Sequence, residues 1–230
     1  MFLGTILVSL AGRPVLAEER PSVVELFTSQ GCSSCPPADA FLGELAQRPN
    51  VIALAFHVDY WDRLGWRDPF SNPEATERQK RYAQALGLRT IYTPQMVIDG
   101  TIDAVGSDRT KVSTALRAPK SNLPLRLELQ GQELAIAVGP GREAEPAAVM
   151  AFAYRRQART AVARGENSGR TLLEYNVVRA RFDLGAWAGP AQSYRLAVDA
   201  LPADATDVAV LVQRARQGAV IGAATTKIRD

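Results

Sequence analysis

The chain has 230 residues, of which 47% are hydrophobic and 22% charged, as in an ordinary globular protein. This length suffices for one large domain or for two domains that each bury their own core. The 27 basic and 24 acidic residues leave a net charge of only +3, so we expect no nucleic-acid partner and no attraction to an anionic membrane.

The first residues of the chain resemble a secretory signal. An apolar run over residues 2–11 precedes the small and apolar residues 15–17 and a polar stretch at 18–20. The positively charged start of a typical signal is missing, and a buried first strand or helix is the alternative interpretation. Because the run is too short to span a bilayer, we predict a signal peptide at residues 1–20 and no integral membrane segment in the mature chain. The mature protein is then periplasmic or secreted.

Both cysteines of the chain lie in one motif, Cys32-Ser33-Ser34-Cys35. The apolar run 23–27 before the motif predicts a strand, and apolar residues at 41, 42 and 45 after it predict a helix. The dithiol therefore lies where a strand gives way to a helix. A helix N-terminus favours negative charge, which lowers the pKa of a thiol and makes it reactive.

Three interpretations compete with redox chemistry for this motif. A structural disulfide across so short a loop would contribute only about 2 kcal/mol. A closed zinc site needs four nitrogen or sulfur ligands, and the chain has two Cys and one His. Buried, inert thiols fit poorly with Ser33, Ser34 and the following prolines, which indicate an open turn. We therefore predict a redox-active dithiol, with binding of a soft metal as the main alternative.

Thr93-Pro94 lies downstream, just before the apolar run 96–98. Asp99-Gly100 separates that run from a second one, which is a strong hairpin signal. Pro94 by itself needs no function, because proline is tolerated at the start of a strand. However, the order strand, Cys-x-x-Cys, helix, strand, Thr-Pro, hairpin, helix resembles the thioredoxin superfamily over roughly residues 21–117. This resemblance implies a cis proline at Pro94 that faces the dithiol and, with Thr93, binds the substrate backbone.

A narrower resemblance rests on residues 24–39, on His57–Asp62 and on residues 165–172. These segments are similar to a secreted bacterial thioredoxin-like family catalogued as domain of unknown function 1223. The resemblance implies a fold and a compartment but no established substrate, so it does not decide the function.

The rest of the chain predicts two domains. We expect an α/β thioredoxin-like domain at 21–118 with a helical insertion at about 61–90, a linker at 119–122, and an all-β, sandwich-like domain at 123–230. The insertion contains a helix that the capping-box pair Ser71 and Glu74 begins. The second domain is predicted from short strand-like runs at Leu123–Leu129, Leu134–Val138, Val149–Tyr154, Thr171–Phe182, Ser193–Val198, Val208–Gln213 and Val220–Thr226.

Several residues near the dithiol are possible modulators. The single histidine, His57, follows a predicted central strand and is either structural, a cation that stabilises the thiolate, or a third metal ligand. Glu25, inside the first strand, is more simply a solvated or salt-paired residue than a buried acid that moves protons. Ser33 and Ser34 lie between the cysteines and do not decide the redox direction.

We therefore predict an exported thiol–disulfide oxidoreductase that needs no cofactor. Cys32, nearer the exposed end, attacks a disulfide, and Cys35 resolves the mixed disulfide. The substrate-binding residues are Thr93, Pro94, Trp61 and Trp66, although the two tryptophans are as well explained by packing. The partners are disulfide-containing proteins or a redox partner protein. The hypothesis requires that Pro94 lie close to the dithiol and that a sulfur atom be reachable from solvent.

Two other classes of function remain open. The alternative is a periplasmic module that binds or delivers copper through Cys32, Cys35 and His57, or with Met96 in place of His57. In the third hypothesis the dithiol is vestigial and the C-terminal domain binds a partner.

Overall fold

The computed structural model describes residues 19–229, which form a mixed α/β fold with a large mixed sheet and few helices. The predicted signal segment, apart from its last two residues, lies outside the described residues. The elements in chain order are β1 (Ser22–Thr28), α1 (Pro36–Leu45), β2 (Val51–His57), α2 (Pro73–Ala85), β3 (Gln95–Ile98), β4 (Ile102–Val105), α3 (Arg109–Ala115), β5 (Leu125–Gln130), β6 (Glu133–Val138), β7 (Ala147–Ala161), β8 (Thr171–Trp187), β9 (Gln192–Ala197), β10 (Asp207–Gln213) and β11 (Val220–Lys227). Short 3₁₀ helices occur at Asp62–Leu64 and Val198–Ala200.

The strands form two sheets. Eight strands pair in the order β11-β10-β7-β8-β2-β1-β3-β4, and three pair in the order β5-β6-β9. In the large sheet β2 is parallel to both β1 and β8, and the other pairs are antiparallel. A hydrophobic core with residues from β6, β7, β9 and β10 fills the space between the small sheet and the C-terminal strands of the large one.

The alternation of side chains along β1 gives the large sheet two different faces. Val24 and Leu26 pack with residues of α1 and α3, whereas Val23 and Phe27 pack with residues of α2. Because successive side chains of a strand point to opposite faces, Thr28 lies on the α1 face and Glu25 on the α2 face.

The strand predictions are confirmed for both halves of the chain. The hairpin between β3 and β4 turns at Asp99-Gly100, where both residues have positive φ (48° and 74°) as a tight two-residue turn requires. All seven runs predicted after residue 122 are strands, β5–β11. However, β7 continues seven residues past its predicted end at Tyr154, because its polar second half pairs with the start of β8.

The start of α2 differs from the prediction. Asn72, not Ser71, is the N-cap, and its side chain accepts a hydrogen bond from the backbone N–H of Glu74. The Ser71 hydroxyl donates instead to Asp62 (2.7 Å), which fastens the preceding loop to the helix.

The large sheet runs through both predicted domains. β8 lies beside β2, with Val177 opposite Ala55, and the Asn176 side chain donates to the Ala53 carbonyl (2.8 Å). The division into two domains at residues 119–122 stays a prediction. The parts before and after it contribute strands to the same sheet. None of the helices within residues 19–229 is long and apolar enough to cross a membrane.

Arg20, predicted as the end of the signal segment, belongs to the folded part. Its buried guanidinium donates to Asp99 and to the backbone carbonyls of Ser121 and Val220, each at 2.7 Å. These contacts join Arg20, just before β1, to the β3–β4 turn, the linker and β11.

Glu25 is salt-paired, as one form of the favoured interpretation expected, but it is fully buried and not solvated. Arg78 of α2 binds both carboxylate oxygens of Glu25 and also donates to Tyr82 and Gln213 (3.1 Å each). The side chains of Glu25 and Arg78 are 0% and 2% exposed. Removing one member of the pair would therefore leave the charge of the other buried without a partner. The pair therefore ties α2 to the core of the sheet.

We expect Arg78→Leu to lower the free energy of unfolding by about 3–5 kcal/mol, because it leaves the Glu25 carboxylate buried without its partner. Lys80→Ala is the matched control on the same helix, since Lys80 and its partner Glu77 are about half exposed and such pairs contribute at most about 1 kcal/mol. Urea unfolding followed by circular dichroism measures both variants. Equal losses in the two variants would contradict this role of Glu25.

Candidate active site

The two cysteines form a disulfide at the start of α1, with their Cα atoms 5.4 Å apart. Cys35 has helical dihedrals (φ −77°, ψ −37°) and is the N-cap, and Pro36 begins the helix. Proline suits this position because its fixed φ fits a helix and its missing N–H would have no partner there. The Cys35 carbonyl accepts hydrogen bonds from the N–H groups of Ala38 and Asp39, so the motif and the helix form one continuous unit.

Neither cysteine has any exposed surface, since the exposed fraction is 0% for both Cys32 and Cys35. Ser33 and Ser34 between them are exposed. The expectation that Cys32 lies open to solvent is therefore wrong for the disulfide form. The requirement that a sulfur atom be reachable from solvent is therefore not met in the disulfide form, and exchange with a substrate needs a form in which neighbouring groups have moved.

The predicted substrate-binding residues lie around the dithiol turn. The Thr93–Pro94 peptide bond is cis. A Cβ atom added to Gly106 would lie 2.9 Å from Cβ of Ala38 and 3.1 Å from Cβ of Pro94, so Pro94 lies close to the first turn of α1. Trp61 connects Thr93 to the turn: its indole N–H donates to the Thr93 hydroxyl (2.9 Å), and its Cβ lies 3.1 Å from where a Cβ of Gly31 would be.

The predicted modulators divide between the two faces of the sheet. Ser34 lies at the dithiol, with its hydroxyl oxygen 3.3 Å from Cys32 Sγ. Ser33 uses its backbone N–H to bind the carboxylate of Glu166 (3.0 Å). His57 lies on the α1 face, whereas Glu25 lies on the opposite face with α2.

His57 ends β2 and belongs to a buried cluster with two acids. Its Nδ1 is 2.7 Å from Asp68 Oδ2, and its Nε2 is 3.8 Å from Glu174 Oε1 and has no hydrogen-bond partner. Burial alone would lower the pKa of His57, but Asp68, Glu174 and Asp39 outweigh it and raise that pKa to about 9. Burial raises the pKa of Glu174, whereas at Asp68 the effect of burial is outweighed by His57 and by two backbone N–H donors, which lower the pKa.

Asp39 is a buried acid on the dithiol helix that the sequence analysis did not single out. It lies one helical turn after Cys35 and therefore on the same face of α1. The Thr28 hydroxyl donates to its carboxylate (2.8 Å). Burial raises the pKa of Asp39 to about 7 against the opposing effects of His57 and Thr28, so the carboxyl group can take up and release a proton near neutral pH.

Gln30 connects the dithiol turn to the His57 cluster. Its backbone N–H donates to Asp68 (2.8 Å), and its side-chain amide donates to Glu174 (2.9 Å) and accepts from the Trp66 indole (3.0 Å). Its carbonyl accepts from the side chain of Asn167 (2.9 Å). Trp66 thus acts on the turn through Gln30.

Sequence analysis missed most of this cluster. Glu174 and Asn167 lie more than 130 positions after Gln30, so no local spacing marks them. Asp39 and Asn167 do fall inside the segments that resemble a known family, 24–39 and 165–172, and that was the available signal.

The copper alternative finds no support in the arrangement of these residues. Within residues 19–229 no three His, Cys, Asp or Glu side chains are grouped so that they could hold a metal ion. His57 uses Nδ1 for Asp68, and the cysteines are bonded to each other.

The chain is similar to known proteins in sequence and in structure. The family model described as "Protein of unknown function (DUF1223)" matches residues 23–213. The crystal structure of protein AGR_C_4864 from Agrobacterium tumefaciens is similar with a TM-score of 0.81 and 32% identity, over 93% of this chain and 100% of that one. None of the curated proteins matches this chain in sequence.

The raised pKa of His57 predicts a pH dependence of stability. A base whose pKa is higher in the folded state stabilises the fold below its unfolded value, here 6.5, and that contribution is lost as pH rises through about 9. We expect the wild type to lose roughly 2 kcal/mol of unfolding free energy between pH 7 and pH 9.5 through this group, and His57→Gln to lose much less. Urea unfolding at each pH measures the difference, and parallel curves for the two proteins would contradict the prediction.

Proposed function

The chain belongs to DUF1223, a family of proteins of unknown function, and we propose that it is an exported thiol–disulfide oxidoreductase. The observation that carries the proposal is the Cys32–Cys35 disulfide at the N-terminus of α1. A helix N-terminus stabilises the thiolate that thiol–disulfide exchange requires, and a disulfide across so short a loop adds little stability. The pair is thus better suited to exchange than to holding the fold together.

The proposal includes a thioredoxin-like fold for residues 21–118. Support comes from the parallel pair β1–β2 around α1, the cis peptide bond before Pro94 and the hairpin that follows it. A separate, sandwich-like second domain at 123–230 is also part of the proposal. It is supported by the core between the two sheets, and its junction with the first domain is the pairing of β8 with β2.

The chemistry in the reducing direction has two steps. The Cys32 thiolate attacks one sulfur of a substrate disulfide, forms a mixed disulfide and releases the other sulfur as a thiolate. Cys35 then loses its proton and attacks Cys32 Sγ, which re-forms the Cys32–Cys35 bond and releases the second substrate thiolate. The substrate gains two electrons and the protein dithiol loses two. Oxidation of a substrate dithiol is the same sequence reversed.

Asp39 is the group we assign to the proton of Cys35. The buried thiol has to lose its proton before it can attack, and a carboxylate with a pKa of about 7 on the same helix face is a suitable acceptor. Ser34 would assist the first step, because its hydroxyl lies within hydrogen-bond distance of Cys32 Sγ and can donate to a thiolate.

Substrate binding is proposed for Thr93, Pro94, Trp61 and Trp66. Trp61 and Trp66 are both half-buried, and each contacts the dithiol turn or a residue that touches it. The proposed partners are proteins with accessible disulfides or dithiols.

Export is proposed from the predicted signal peptide, ending before Arg20 because that residue belongs to the folded part, together with the disulfide, because disulfides persist in oxidising compartments such as the periplasm. The equilibrium of the protein with reduced and oxidised glutathione would decide the direction of the reaction. A reduction potential near about −270 mV would indicate a reductase, and one near about −120 mV a disulfide donor.

We expect the reduced protein to cleave a model protein disulfide in the presence of excess dithiol, and Cys32→Ser to be inactive. Reduced Cys35→Ser, freed of dithiol and then mixed with the substrate, should instead accumulate a covalent adduct, because the first step remains and no thiol is present to resolve the mixed disulfide. Turnover and the mass of the adduct measure these outcomes. A wild-type rate no greater than that of Cys32→Ser would rule out the proposed function.

The role of Asp39 predicts a change in pH profile. We expect Asp39→Asn to slow release of the second substrate thiol by about 10- to 100-fold at pH 7, and much less at pH 9.5, where hydroxide can deprotonate Cys35. Asp183→Asn is the control, since the Asp183 side chain is largely exposed and pairs with Arg181. A uniform slowing at all pH values would indicate that Asp39 only supports the structure.

A further inference from the structure

The turn that carries the dithiol is covered by the connection between β7 and β8, residues 162–170, called here the cover loop. Asn167 in this loop donates through one amide nitrogen to the carbonyls of Gln30 (2.9 Å) and Cys32 (3.0 Å). Glu166 accepts the backbone N–H of Ser33 at 3.0 Å. The loop thus binds the main chain on both sides of Cys32.

The cover loop also reaches the insertion that carries the tryptophans. A Cβ added to Gly165 would lie 3.1 Å from Cβ of Trp66, and the N–H of Gly165 is 4.0 Å from where a Cβ of Gly65 would be. Asn167 is only 1% exposed although its loop neighbours Glu166 and Ser168 are exposed. One side chain of an otherwise exposed loop is therefore inserted against the dithiol turn.

The cover loop has an internal structure that can be kept while it moves. Val162 N–H donates to the Arg170 carbonyl (2.9 Å), and Gly169 N–H donates back to Val162 (2.8 Å), which closes the loop at its base. Gly165 and Gly169 have positive φ (78° and 79°), a conformation that glycine adopts without strain. The hydrogen bonds that join Asn167 and Glu166 to residues 30–33 are separate from those that close the base of the loop. They can break without unfolding the loop.

We propose that the cover loop is a gate on the dithiol, which opens before either cysteine can exchange with a substrate. This inference rests on the proposed function. Glu166 and Asn167 hold the gate closed, and opening exposes Cys32 together with the N–H of Ser33 and the carbonyl of Cys32. A disulfide-containing polypeptide offers backbone groups that can take over these two hydrogen bonds, so the binding of such a substrate favours the open gate.

Reduction of the protein's own disulfide by dithiothreitol tests the gate without any substrate. Each reaction converts the Cys32–Cys35 bond into two thiols and leaves cyclic, oxidised dithiothreitol. Samples are quenched with an alkylating agent at set times, and the mass gained by the two cysteines gives the rate. We expect reduction to be about tenfold faster in Asn167→Ala, which loses both bonds to the turn, and about threefold faster in Glu166→Gln.

Glu77→Gln is the matched control, because Glu77 is an exposed carboxylate on α2 paired with Lys80. The disulfide of this variant should be reduced at the wild-type rate. Wild-type rates in both Glu166→Gln and Asn167→Ala would overturn the gate. If Asn167→Ala does not fold, Glu166→Ala decides, since Glu166 is exposed and alanine has no acceptor for the Ser33 N–H; its reduction should also be about threefold faster, and a wild-type rate would overturn the gate.

Two further readouts separate a gate from other roles of the loop. Loss of a gate speeds reduction and re-oxidation together, so the equilibrium of each variant with dithiothreitol should stay within about twofold of the wild type. A shift of that equilibrium as large as the change in rate would instead show that the loop stabilises the disulfide, and would overturn the proposal. Opening should also be local, so a wild-type rate that rises with urea as steeply as global unfolding would contradict it.

This test is independent of turnover on protein disulfides. If the protein is inactive on protein disulfides but its loop variants are still reduced faster, the gate is supported and the proposed function is wrong. If the protein is active but its loop variants are reduced at the wild-type rate, the proposed function is supported and the gate is wrong.

Discussion

The pairing of β8 with β2 is the constraint on which the site depends. Val177 lies opposite Ala55, and Asn176 fastens the two strands through the Ala53 carbonyl. This pairing places the long β7–β8 hairpin, which belongs to the second predicted domain, against α1 of the first. There the ring of Tyr175 occupies the space that a side chain at Gly43 would need. Because the hairpin lies there, Glu174 reaches Gln30 and the cover loop reaches the main chain of Cys32 and Ser33.

The hairpin completes a polar cluster that the N-terminal half begins. His57 and Asp68 come from the first half, Glu174 and Asn167 from the hairpin, and Gln30 binds members of both groups. Buried polar groups are costly unless they are paired, so these hydrogen bonds fix the position of the turn before Cys32. The dithiol is held by residues from both parts of the chain.

Local patterns in the sequence predicted the elements well. Alternation and turn residues give β5–β11, and Asp99-Gly100 gives the β3–β4 hairpin, because these depend on neighbouring residues. The Cys-x-x-Cys motif identifies the candidate dithiol for the same reason, whereas Thr93-Pro94 is assigned to the site only through the resemblance to the thioredoxin superfamily. The merging of both parts into one sheet, the burial of Cys32 and the cluster around His57 depend on contacts between distant residues, which no spacing in the sequence encodes.

The alternation of β1 has an electrostatic consequence. Residues 25 and 28 lie three positions apart on one strand, yet they point into separate buried polar groups on opposite sides of the sheet. On the α2 side, Glu25 meets a guanidinium whose pKa is raised above its ordinary value, so that arginine keeps its charge throughout the neutral range. On the α1 side, His57 and Asp39 have pKa values of about 9 and 7. A change in pH between about 7 and 9 therefore alters the protonation of Asp39 and His57 on the side of the sheet that carries the dithiol helix, while the arginine on the other side keeps its charge.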